Sequence, residues 1–193
     1  MKKFELTEEY INFFGINVFR IKALTDFGGV KKGELGGFVE KEENLEHYGN
    51  AWVSGDAHVY GDAHVYGDAK VSGNAIVSGD AKVSGNAKVF GDAIVSGDAK
   101  VSGDAKVSGD AIVFGDQMYA TVKGFGSNYR DTTFFVTKDG NVCVNCGCFS
   151  GTLEQFRKKV KETHKDTEYA KEYLAIADLM EMHFKEELEK IKK

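Results

Sequence analysis

From residue 49 to residue 116 the chain keeps one hydrophobic pattern, G-[DN]-A-x-V-[SYF], repeated every six residues without an insertion. Ala stands at every sixth position from Ala51 to Ala111, and Val at every sixth from Val53 to Val113. Successive side chains of an extended segment point to opposite faces, so Ala and Val share one face while x and Ser/Tyr/Phe share the other. Each unit therefore predicts a short strand with Ala and Val inward, ended by a Gly-Asp or Gly-Asn turn. A longer period lies inside the short one. The residues after Ala are His58, His64, Lys70, Ile76, Lys82, Lys88, Ile94, Lys100, Lys106 and Ile112, so Ile recurs every 18 residues.

Three strands per coil produce that super-period, with equivalent positions stacked about 4.8 Å apart. The chain reads as mainly β, with a three-sided parallel β-helix of nearly four coils at its centre. One outward face carries His58, Tyr60, Ile76, Ser78, Ile94, Ser96, Ile112 and Phe114, while the other two carry mostly Lys and Ser. An up-and-down barrel or a sandwich needs hairpin-joined strands of about five or six residues and leaves the super-period unexplained.

Both ends break the pattern. Residues 1–48 read as an N-terminal β cap: FELTEEYINFFGINVFRIKAL alternates around Gly15 as a hairpin does, and Val39 and Leu45, six apart, form a degenerate first coil. The β-helix proper spans 49–116. Residues 117–193 read as a small α+β module ending in two helices. There TTFFVTKDGNVCVNCGCF makes two strands around Asp139-Gly140, and Thr152 with Gln155 matches a capping box. From Thr167 onward Tyr169, Tyr173, Ile176, Ala177, Met180, Phe184, Leu188 and Ile191 recur at helical spacing. At 1.5 Å per residue this helix is roughly 40 Å long, enough to lie along the Ile face.

Composition narrows the function classes. The 23 Gly and absent Pro suit a backbone that turns often and loses no ladder N–H. A net charge of −5 argues against a dedicated nucleic-acid binder. Apolar runs fall short of the roughly 20 residues that cross a bilayer, and MKKFELTEEY has no signal-peptide core, so a soluble cytosolic protein without membrane contact is expected. Three Cys, an odd count, argue against a secreted disulfide scaffold.

The repeat resembles that of the hexapeptide-repeat β-helix proteins, which place an aliphatic residue at the first position and a small one at the fifth. Val53 with Ala57 and Val59 with Ala63 fit. Ser, Tyr or Phe stands where the family usually has Gly or a small polar residue, and Gly comes one later. Left-handed coils are the first expectation, and the right-handed three-sided helix of the bactofilin-like polymer-forming proteins is the second. The whole layout, DFGGVKKGELGGFVEKEENL, then the repeats, then GCFSGTLEQF, resembles a group of phage and prophage proteins. That resemblance implies a bacterial host cytosol and no particular reaction.

Five features carry candidate chemistry. Many left-handed hexapeptide proteins are trimeric acyltransferases with a His base supported by a loop that leaves the coil. No such loop interrupts residues 49–116, and His58 and His64 take outward positions used elsewhere by Lys and Ile, which marks them as surface residues. Cys143, Cys146 and Cys148, with His164, are weak zinc candidates. Cys143 faces away from the other two in a strand, so convergence needs a break at Gly147, and buried thiols are the expectation. The corner Asp and Asn residues, Asp56, Asn74, Asp92 and Asp110 among them, sit about 4.8 Å apart, and stacked carboxylates there repel unless hydrated, bonded to turn N–H groups or shared with a cation; Asx turns meet this need without metal.

In GFGSNYRDTTFF, residues 124–135, Ser127, Asn128, Tyr129, Arg130 and Asp131 could cradle a small anion through backbone N–H groups and a guanidinium fork, against the alternative of an ordinary connector. The strip Ile76, Ile94, Ile112 and Phe114 marks a contact face, for the C-terminal helix or for a second copy. Together these features predict a non-catalytic binding or interaction protein, acting as a homo-oligomer (dimer or trimer) without metal or cofactor. Its target would be a host protein, such as a defence factor, or a small anionic signalling metabolite. The alternatives are a trimeric acyltransferase and a polymer-forming scaffold joined through coil ends.

Overall fold

The computed structural model describes residues 2–192, so Met1 and Lys193, the outer limits of the two expected end segments, lie outside the described residues. The N-terminal hairpin pairs β1 (Phe4–Phe13) antiparallel with β2 (Ile16–Ala23). Phe14 and Gly15 turn it with φ of 50° and 86°, the left-handed pair that a two-residue hairpin turn requires. β3 (Leu35–Val39) pairs antiparallel with β2 and parallel with the first coil, so the hairpin continues the ladder of one prism face.

Strands β4 to β14 are two residues each, from Trp52–Val53 to Ile112–Val113 at six-residue spacing. They stack in three parallel ladders: His58, Ile76, Ile94, Ile112; Trp52, Lys70, Lys88, Lys106; and His64, Lys82, Lys100. This is the three-sided prism that the 18-residue period predicts. Val39 pairs with Val59 and Leu45 with Val65, so the degenerate first coil forms as well. Every repeat Ala and Val is at most 1% exposed, and burying each Val contributes roughly 1.5–3 kcal/mol.

The corners explain the turn residues. At Gly85, φ is +66° and a Cβ would lie 3.0 Å from the backbone N and O of Gly103 one coil on, so the corner stack excludes side chains. Beside it, Asn50, Asp68, Asn86 and Asp104 alternate along one corner. Asn50 Nδ2 donates to Asp68 at 2.7 Å and Asn86 Nδ2 to Asp104 at 2.9 Å; on another corner Asn74 donates to Asp92 at 2.8 Å. Coil-to-coil amide donors, rather than Asx turns alone, relieve the carboxylate stacking there.

After a tight turn at Asp116–Met118, four antiparallel strands follow in sequential order: β15 (Tyr119–Phe125), β16 (Arg130–Val136), β17 (Val142–Cys146) and β18 (Phe149–Thr152). Two of these strands, β15 and β18, carry no clear alternation in sequence. α1 (Leu153–His164) starts at Thr152, whose hydroxyl accepts from Gln155 N in the expected capping box. α2 (Glu168–Ile191) is 24 residues long. Its main contacts are with α1, β15, β16 and the Asp116–Met118 turn, not with the Ile face along which its length would have let it lie. Its apolar stripe found a nearer partner in the C-terminal sheet. Arg157 of α1 joins the two helices, donating to Asp178 at 2.8 Å and Glu181 at 2.7 Å.

The Ile strip is therefore less uniform than expected: Ile112 is buried, Ile76 and Ile94 are half-buried, and Phe114 is 47% exposed. Phe13 from the hairpin stacks on His58 with centroids 4.5 Å apart and reaches Tyr60 at 5.8 Å, covering the N-terminal end of that face.

The module closes the C-terminal end of the prism. Asn145 Nδ2 donates to Lys106 O at 2.8 Å and Ser108 Oγ at 2.9 Å, and Thr133 Oγ1 accepts from Lys106 N at 3.0 Å. Phe134, Phe135 and Val136 of β16 join the prism core. Backbone groups that an open coil end would offer to another chain are thereby engaged.

At the opposite end Lys3 is 4% exposed, donates from Nζ to Ala51 O at 2.8 Å and sits 4.8 Å from the Phe27 ring centroid. Burial pushes its ammonium down to about 8, against the smaller opposing pull of Glu46 and Asp68. The unfolded chain holds this proton up to about 10.5 and so binds more protons than the folded one between these values; stability rises with pH across that window. From pH 7.5 to 9.5 the gain from Lys3 is roughly 2 kcal/mol. Urea unfolding at the two pH values should show it, and Lys3→Met should lack it. An equal rise in the variant would assign the effect to other groups.

Candidate functional site

The residues 126–129 turn joins β15 to β16 and lies beside the first turns of α2. Gly126 has φ +69°, and a Cβ there would sit 2.2 Å from Tyr173 Oη, so glycine makes room for the phenol. Gly126 N donates to Glu172 at 3.1 Å, and Tyr173 Oη donates to Phe125 O at 3.2 Å. The break at Gly147 that convergence of the three thiols would need is present, between β17 and β18, with φ of 60°. A Cβ at Gly147 would lie 2.3 Å from Arg130 Nη1, so the guanidinium rests against bare backbone.

These elements enclose a cleft of about 240 Å³. Ser127 and Asn128 come from the turn, Arg130 from β16, Cys146 and Phe149 from the neighbouring hairpin, and Tyr173 from α2. α1 supplies Phe156, Lys159, Val160, Thr163 and His164, one helical face at i, i+3, i+4, i+7 and i+8. Among the described residues lining the cleft, Arg130, Lys159 and His164 are basic and none is Asp or Glu. The apolar side is a chain of rings: Phe149 to Phe156 at 5.6 Å, Phe156 to Tyr173 at 5.7 Å, and Tyr173 to His164 at 5.7 Å.

Burial, with Cys146 beside it, pushes the Tyr173 phenol up to about 12, so it stays protonated and acts as a donor rather than a base. Cys146 Sγ accepts from Thr132 Oγ1 at 3.1 Å and lies 3.9 Å from Tyr173 Oη. The arrangement can hold an anion beside the half-buried Phe149 ring.

Of the five residues singled out in the turn, Ser127, Asn128 and Arg130 line the cleft. Tyr129, 67% exposed, and Asp131, paired with Lys123 at 3.4 Å, do not. The segment is the tip of a β-hairpin, not a connector before one. Lys159 escapes the sequence reading, and His164 enters it only as a zinc candidate, although the helical face that carries them mixes Lys, Thr and His with apolar residues, which a purely packing face does not need.

The thiols are not the buried set expected. Cys148 is exposed, Cys143 and Cys146 are half-buried, and no group of His, Cys, Asp or Glu among the described residues is arranged to hold a metal ion. Burial, then Asp110 and Asp139, push the Cys143 thiol up. His58 is not the free surface residue expected either. It stacks between Phe13 at 4.5 Å and Phe38 at 5.4 Å, with Nε2 buried and unpartnered, and this burial pushes its imidazole down. His64 remains half-exposed beside Tyr66.

No described helix is long and apolar enough to cross a membrane. In comparisons with known proteins, no family model and no curated protein matches this chain.

Proposed function

We propose that this is a non-catalytic binding protein: the β-helix is a rigid mount, and the C-terminal module captures a small anionic ligand in its cleft. In a bacterial host carrying the gene on a phage or prophage, such capture would sequester a signalling metabolite. The observation that carries this reading is the convergence of Arg130, Lys159 and His164, from β16 and α1, on one cleft without a carboxylate in its lining. The acids nearby are engaged elsewhere, Asp131 with Lys123 and Glu172 with Gly126 N. On a chain of net charge −5, such a local basic site selects anions by placed donors rather than by bulk attraction.

The acyltransferase reading has less support, because a base at His58 would have to work from under Phe13. Contact with a second copy would use the part of the strip that stays half-buried, at Ile76 and Ile94.

The test is isothermal titration of the purified protein with sodium phosphate and a panel of phosphorylated metabolites. Arg130→Gln removes one charge-assisted contact, worth about 1.5–3 kcal/mol, so affinity should fall by roughly tenfold or more. Because Arg130 is exposed, the melting temperature should stay within a few degrees. Unchanged affinity in the variant, or no anion binding in the wild type, would remove the proposal.

A further inference from the structure

The basic residues account for only part of the lining of the cleft. A site built for a free inorganic anion has no use for the apolar part of the lining, where the half-buried Phe149 is backed by the buried Phe156 at 5.6 Å. Phe156 and Tyr173 are buried and meet edge to face at 85°, whereas Phe149 is half-buried, so it is the Phe149 ring that keeps surface on the cleft. Asn128, at the rim, offers an amide donor and acceptor side by side, the pattern that pairs with the edge of a nucleobase. The volume sets a limit. At about 240 Å³ the cleft is below the roughly 300–1,000 Å³ typical of drug-sized ligands. It has space for one ring system and one anionic group, not for two nucleotides.

Resting on the anion-binding reading above, we propose that the ligand is an aromatic phosphate monoester of nucleoside 5′-monophosphate size. Its phosphate lies on Arg130, Lys159 and His164, and its ring lies against Phe149. The guanidinium, held against Gly147, presents a planar fork to the phosphate. The ring contributes through stacking, which tolerates different bases because each has a π face.

Titration calorimetry with four probes on the full chain separates this inference from its premise: adenosine 5′-monophosphate, inorganic phosphate, adenosine, and a dinucleoside monophosphate. The nucleotide is expected to bind at least tenfold more tightly than inorganic phosphate, about 1.4 kcal/mol, and more tightly than either adenosine or the dinucleoside compound. In Phe149→Leu, which keeps apolar bulk and loses the ring, that tenfold advantage should shrink to threefold or less. Inorganic phosphate binding as tightly as the nucleotide would overturn the aromatic half and leave the anion site standing. Adenosine binding as tightly as its monophosphate would overturn both, and so would no binding by any probe. A tighter dinucleoside compound would overturn the size argument, and an undiminished advantage in Phe149→Leu would place the ring elsewhere.

Discussion

Val83→Asp should unfold the protein or lower its melting temperature by roughly 10–20 °C, corresponding to about 4–5 kcal/mol. Val83 is fully buried in the prism, registered between Val65 one coil before and Val101 one coil after. No polar partner is available inside a column of Ala and Val, so the new carboxyl must be buried unpaired or take up a proton, and both cost free energy. The adjacent position is the control. Lys82 is exposed on the outside of the same strand, and Lys82→Ala should change stability by no more than about 0.5 kcal/mol. Thermal unfolding followed by circular dichroism distinguishes the two. A Val83→Asp protein melting within a few degrees of wild type would mean that the prism interior is not a dry column.

The second large effect is at the C-terminal closure. Phe134→Ala should cost about 3–5 kcal/mol, the range for deleting a fully buried aromatic ring. Phe134 is completely shielded and meets Phe156 edge-on with centroids 6.0 Å apart, so it ties the strand covering the last coil to the helix behind it. Loosening β16 also frees the coil-end groups that Thr133 and Asn145 now satisfy. Concentration-dependent association should therefore accompany the lower melting temperature, because unpaired strand edges recruit other chains. Calorimetry and light scattering on one sample test both parts. A fall in stability with no added association would show that the coil end stays covered, and would separate the packing role of the ring from closure of the prism.

Legibility from sequence follows how local the information is. The six-residue spacing of Ala and Val places the core, and the 18-residue spacing of Ile identifies which strands stack, because each strand's partner is its own near-copy one coil away. The hairpin around Gly15 and the capping box at Thr152 are legible for the same reason: their hydrogen bonds close within a few residues. β15 and β18 are not. YATVKGF is mostly exposed on both faces and FSGT is short, and they become strands because β16 and β17 offer them edges. One edge of the cleft was visible in Ser127, Asn128 and Arg130, since a Gly-rich turn with an Arg has a local signature. Lys159 and His164 lie some 30 residues further along, on a helix whose own pattern says only which face is apolar.

The sequence by itself determined a three-sided prism, its inward Ala and Val columns, its one Ile-bearing face and the two C-terminal helices, because periodicity converts directly into which side chains share a face. Only the tertiary structure decided that α2 packs on the C-terminal sheet instead of the Ile face, that Phe13 folds over His58, and that three basic side chains line one cleft with Phe149. Those outcomes depend on competition among surfaces far apart in the chain. An apolar stripe specifies that it will be buried, but which partner buries it is settled by shape and by the hydrogen bonds each docking leaves satisfied.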